Sequence, residues 1–124
     1  IDEKFFYYLM EIQDRTLKYS IRVVKFIKTI SKSGNYDVLF NQLLRSATSV
    51  GANLREADSA SSRKDFLNKV FIAKKEAQET EYWLEIVKGA ELLHNDKNLE
   101  ELGFLIAECR EIILVLAAII RKTK

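Results

Sequence analysis

The sequence predicts an all-α fold, an antiparallel up-down-up-down four-helix bundle. Three observations carry this. The 124 residues contain no proline and only four glycines, so little interrupts a helix. Apolar residues recur at steps of three and four in four separate stretches, the period of a helix seam. The breaks between the stretches are short, which makes neighbouring helices antiparallel. One domain spanning residues 1–124 is expected, with helices near 4–32, 36–59, 62–92 and 98–122.

The first helix carries its seam on Phe5, Leu9, Ile12, Thr16, Tyr19, Val23, Phe26 and Ile30. It stops at the turn cluster Ser33-Gly34-Asn35. The second seam is Phe40, Leu43, Ala47, Val50, Leu54 and Ala57. It passes unbroken through SATSVGAN, residues 46–53, a stretch that would read as a loop by composition. Gly51 costs about 1 kcal/mol relative to alanine inside a helix, so a close helix approach is expected at Gly51 and Ala52. The third helix opens on Ser62 with Asp65 three residues on, a loose capping box. Its seam runs Phe66, Val70, Ala73, Ala77, Thr80, Leu84 and Val87, and it fades near Leu93-His94-Asn95-Asp96. The fourth has Asn98 as its cap candidate and a seam of Leu102, Ile106, Cys109, Ile113, Leu116 and Ile120.

Helices three and four carry more apolar residues than a seam needs. Leu67, Phe71, Tyr82 and Ile86 lie to one side of the third helix, with Ile72, Trp83 and Ala90 to the other. Phe104, Leu105, Ile112, Val115 and Ile119 lie outside the fourth seam. A wide core stripe accounts for such residues, and so does a second packing surface. Phe71, Tyr82 and Trp83 favour the second, because interfaces are enriched in large aromatics. Opposite the second seam lie Arg45, Ser49, Ala52, Glu56 and Ser59, flanked by Thr48 and Arg55 on one side and Ser46 and Asn53 on the other, a face of small side chains between a few charged ones. Solvated helix faces usually use long helix formers, so this face is read as a contact surface.

Little in the chain supports catalysis or cofactor binding. His94 is the one histidine and Cys109 the one cysteine, so no zinc set exists and no internal disulfide can form. No Glu-x-x-His motif for a di-iron centre occurs. Ser49 has no histidine beside it to act as base, and no glycine-rich phosphate loop appears. The expectation is a non-enzymatic protein without cofactor. Charges interrupt every apolar run before it reaches a membrane span. A cytoplasmic location fits the single cysteine and the absence of a visible signal peptide. Ile1 is not an initiator methionine, which leaves room for residues ahead of it.

The net charge of +2 does not by itself identify a nucleic-acid binder. The distribution is more informative. Arg15, Lys18, Arg22, Lys25 and Lys32 share one side of the first helix, and no acid occurs from residue 15 to residue 32. Such a stripe suits phosphate contacts. It equally suits pairing with Glu85, Glu91, Glu100 and Glu101, which an antiparallel bundle brings near the end of the first helix. Both readings stand at this point.

The stretch QLLRSATSVGANLREA, residues 42–57, resembles the signature of the bacterial four-helix proteins found within intervening sequences of 23S rRNA genes. That family is similar to the accessory variability proteins of diversity-generating retroelements. Ser62-Arg63-Lys64-Asp65-Phe66, AKKEAQET at 73–80 and Tyr82-Trp83-Leu84 extend the likeness through the third helix. The resemblance implies a subunit of a ring-like homopentamer. In the retroelement relatives it also implies a basic barrel that binds nucleic acid and the reverse transcriptase, whereas this chain is near neutral. It places Gln42, Arg45, Ser49, Asn53 and Glu56 at structural or interface positions with no catalytic role. The reading that follows is an oligomeric scaffold or adaptor, with itself and an RNA or RNA-bound protein as partners. A purely structural oligomer or protein-binding module is the alternative.

Overall fold

The computed structural model describes residues 3–30 and 35–123. Four α-helices account for nearly all of them: α1 (Glu3–Ile30), α2 (Asp37–Asp58), α3 (Arg63–Gly89) and α4 (Asp96–Thr123). They pack as a bundle in which α1 touches α2 and α4, and α3 touches the same two. Each expected seam turns inward. Val23, Leu43, Val70, Leu84 and Leu116 are wholly buried and belong to one apolar core that all four helices share. Phe5, Ile30, Phe66 and Ile113 sit at its margin.

The helix ends follow local chemistry. Ser62 Oγ accepts from the Asp65 backbone N–H at 3.0 Å, as the capping box requires. The cap expected at Asn98 falls three residues earlier: Asn95 Oδ1 accepts from the Asn98 N–H at 2.7 Å. Either asparagine offers the same side-chain oxygen, so composition alone did not choose between them. α3 also stops sooner than expected, at Gly89. Glu91 takes a left-handed φ of 55°, and its N–H bonds Lys88 O at 3.1 Å. That turns the chain so that Leu93 reaches the core. Ser33 and Gly34 of the expected first turn lie outside the described residues.

The apolar surplus on α4 is largely core. Leu105, Ile112 and Ile119 are buried alongside the seam. A helix flanked by two neighbours buries a wide stripe, not a two-position seam, so for these three the wide core stripe is the reading that holds. Exposed apolar area concentrates elsewhere, and much of it lies on α1, where Phe6, Met10, Leu17, Ile21 and Val24 are about half exposed.

Candidate functional site

The small-residue stretch of α2 is an inter-helix contact on two sides. Toward α3, Ser46 is buried, and its hydroxyl accepts from Thr80 Oγ1 at 2.9 Å. Arg45, one residue back, reaches the same helix. Its Nη1 donates to Glu76 Oε2 at 2.8 Å and its Nη2 to Glu79. Gln42 Oε1 steadies the guanidinium from 3.4 Å. Further along, Lys69 Nζ donates to Glu56 Oε1 at 3.1 Å. Residues 42–57 and 73–80, two of the stretches quoted for the resemblance, therefore bind each other. The seam pattern alone does not assign Glu76 and Glu79 to this contact. The available signal was their place one turn or less from the seam residue Thr80, on the side that faces α2.

Toward α1, the approach is close at Gly51. A Cβ there would lie 3.3 Å from Thr16 Oγ1 and 3.5 Å from the Thr16 carbonyl carbon. The buried Thr16 hydroxyl satisfies itself on Ile12 O at 2.9 Å. Ser20 Oγ crosses to Ala47 O at 3.2 Å. Ala52 is not part of this approach. It is exposed, one residue beyond the glycine and turned off the α1 contact. Ser49 and Asn53 are half-buried and bonded to each other, with Asn53 Nδ2 donating to Ser49 O at 2.8 Å.

The basic side of α1 meets α4. Arg15 forms a two-pronged pair with Glu108 at 2.6 and 2.7 Å. Arg22 does the same with Glu101 at 2.6 and 2.9 Å, and its guanidinium carbon lies 3.5 Å from the centre of the Phe104 ring. These hydrogen bonds hold both arginines above the ordinary guanidinium value. Lys18 pairs with Asp14, just ahead of the acid-free run, at 2.9 Å. Lys25 is exposed with no ion pair among the described residues, and Lys32 lies outside them. Of the acids expected beside the stripe, Glu101 alone pairs with it among the described residues. Glu85 is held by Arg110 on α4 at 2.8 Å, with Glu81 completing that fork. Glu108 was missed because it lies two turns further along α4 than the acids first considered.

The aromatic trio divides. Phe71 and Tyr82 are 40% and 60% exposed. Trp83 is half-buried and stands edge-on to Tyr82 at 5.2 Å, with its Nε1 buried and lacking an acceptor. Cys109 is buried and donates to Ala77 O at 3.1 Å. Burial pushes its thiol up to about 12, so at neutral pH it is an inert donor, not a thiolate. Two clefts stand out on the described surface. One, of about 940 Å³, sits at the bundle end between Phe5, Phe66, Arg63 and Lys122. The other, of about 860 Å³, lies between α1 and α4 and carries Lys18, Lys25 and Lys97 together with Asp96 and Glu100. Among the described residues no acid, cysteine or histidine group has the makings of a metal site, and no helix is long and apolar enough to cross a membrane.

Comparison with known proteins gives one consistent result. No curated protein matches the chain. A protein of unknown function from the S23 ribosomal protein family of Bacteroides thetaiotaomicron superposes with a TM-score of 0.82 at 38% identity, covering 92% of this chain and 98% of that one. The model of the 23S rRNA-intervening sequence protein family matches residues 9–117, a span that takes in α2 and α3 whole and most of α1 and α4, and the chain belongs to that family.

Proposed function

We propose that the chain is one subunit of a homo-oligomeric scaffold or adaptor, a ring of five copies, with no catalytic role. Within the subunit the four helices alternate in direction and make a single domain. Residue pairings support the alternation. Arg15 meets Glu108 and Arg22 meets Glu101. Thr16 faces Gly51 while Ser20 meets Ala47. Ser46 meets Thr80 and Glu56 meets Lys69. In each case one helix is climbed as its neighbour is descended.

The observation that carries oligomerisation is the exposed apolar surface on separate corners of the bundle: Met10, Leu17 and Ile21 on α1, Tyr82 on α3 and Leu114 on α4. Exposed apolar side chains gathered along one helix face, as on α1, suit an interaction surface. Two different patches per subunit suit a head-to-tail contact, which closes into a ring when the rotation allows. The number five rests on the family resemblance. Light scattering at micromolar concentration tests this: a mass near five times the 14.4 kDa subunit is expected, and a monomer mass refutes it.

Nucleic-acid contact along α1 has less support than the oligomer. The stripe's two described arginines already hold carboxylates and Lys18 holds Asp14, which leaves Lys25 to meet phosphates. Adding RNA to the same light-scattering sample separates the scaffold that binds RNA from the one that does not.

A further inference from the structure

One outer row of α1 consists of the exposed positions 3, 7, 10, 14, 17, 21, 24 and 28. One outer row of α3 consists of the exposed positions 64, 68, 71, 75, 78, 82, 85 and 89. The spacing alternates four and three in both, so the rows match along their whole length at a constant offset of 61 residues. Such a spacing is that of a two-helix seam. Within the subunit these rows cannot meet, because α1 and α3 occupy diagonal corners and each packs on α2 and α4 instead.

We propose that α1 of one subunit packs against α3 of the next along these two rows, parallel and in that register, to form the ring contact. The inference rests on the oligomeric reading above and specifies which surfaces make it.

Charge selects both the direction and the register. At the offset of 61, Glu3 stands opposite Lys64, Asp14 opposite Lys75, and Met10 and Ile21 opposite Phe71 and Tyr82. Lys25 and Lys28 then flank Glu85. Acid therefore precedes base along α1, and base precedes acid along α3. Glu3, Lys28, Lys64 and Lys75 have no ion pair among the described residues, so the contact would give each a partner. Asp14 already accepts from Lys18 on its own helix and can take Lys75 as well. The reverse, antiparallel docking brings Lys28 to Lys64 and Lys18 to Lys74, and like charges set face to face disfavour it.

The topology agrees. Alternating helices make α1 and α3 point the same way within a subunit. Rotation about an axis parallel to the bundle preserves that direction, so α1 and the neighbour's α3 are parallel in a closed ring. The two rows differ, so the contact is head-to-tail and cannot terminate as a two-fold dimer.

Cysteine cross-linking tests the pairing. Ile21 and Tyr82 are both well exposed, so Ile21→Cys and Tyr82→Cys keep the subunit core, while the buried native Cys109 stays out of reach of oxidant. On mild oxidation the Ile21→Cys/Tyr82→Cys double variant should give a ladder of covalent multimers. Either single variant alone should give none, and the two co-expressed should give a dimer of one of each. A second probe is Lys64→Glu/Lys75→Glu, which should raise the concentration at which the oligomer dissociates by roughly tenfold. If the protein keeps its multimeric mass but 21 and 82 never link, or if a single variant links to itself, this pairing is wrong and the oligomeric reading survives. A 14.4 kDa mass overturns both.

Discussion

Replacing Gly51 tests how tightly α1 and α2 are spaced. Alanine in a helix interior is favoured over glycine by about 1 kcal/mol. Against that, the new methyl would sit 3.3 Å from Thr16 Oγ1, tight enough that the hydroxyl must yield by a few tenths of an ångström. The hydroxyl resists, because it is buried and tethered to Ile12 O at 2.9 Å. The two effects should roughly cancel, so Gly51→Ala is expected to leave stability unchanged within about 0.5 kcal/mol. Removing the obstacle exposes the concealed gain: on a Thr16→Ala background, Gly51→Ala should stabilise by about 1 kcal/mol. A larger side chain has no such escape, since it meets the Thr16 backbone 3.5 Å away. Gly51→Leu should cost about 1–3 kcal/mol through overpacking. Urea denaturation of the four variants of the cycle, with Gly51→Leu alongside, measures all of this. If Gly51→Leu unfolds at the wild-type midpoint, or the cycle shows no coupling, the helices are not held together at this point.

Arg45→Ala should destabilise by about 1 kcal/mol and the loss should shrink in high salt, because Glu76 and Glu79 are left facing each other at the protein surface; Arg45→Lys should recover only part, since an ammonium cannot reproduce the fork. Arg22→Gln should reproduce the whole stability loss of the Lys18, Arg22, Lys25 triple glutamine variant, again about 1 kcal/mol, with Lys25→Gln neutral; a triple variant that stays as stable as wild type but loses RNA affinity would identify the stripe as a nucleic-acid surface. Alkaline titration should show stability constant below about pH 8 and falling above about pH 9. The sign follows from burial: the Cys109 thiol is raised to about 12 and Tyr19 is raised as well, so the unfolded chain loses these protons first and gains on the native state as pH rises. Cys109→Ala should delay the fall to about pH 10, where only Tyr19 remains.

Periodicity made the helices and their seams readable, because a residue such as Val23 or Leu84 has no reason to keep a three-four step unless it faces a core. The same rule hid as much as it revealed on the outside. Met10, Leu17 and Ile21 keep an equally good period on α1, yet they alternate with Asp14, Lys18 and Lys25, and the stronger inner seam drew the assignment. For Leu105, Ile112 and Ile119 the pattern left core and surface both open, since a one-dimensional pattern does not show how many neighbours a helix has. The partners of the α2 motif were not legible from the motif itself. Naming Glu76, Glu79 and Thr80 as the partners of Arg45 and Ser46 requires the relative height of two helices, and the length of the connecting turn fixes that only to within about a residue or two. Ala52 was paired with Gly51 on composition, although one residue along a helix is a rotation of about 100°.

Trp83 makes the protein its own optical probe. It is the single tryptophan in the chain, so all indole emission comes from one place on α3. An indole N–H shut away from water and without an acceptor emits toward the blue, and unfolding should move that emission to the red in one step. Tyr82, 5.2 Å away by ring centres, lies well inside the range for energy transfer, so light absorbed by the tyrosine should appear as tryptophan fluorescence. Anything that covers or displaces the exposed tyrosine alters that transfer. Dilution followed by emission, with no label attached, can therefore follow both the melting of a subunit and its release from whatever lies against this side of α3.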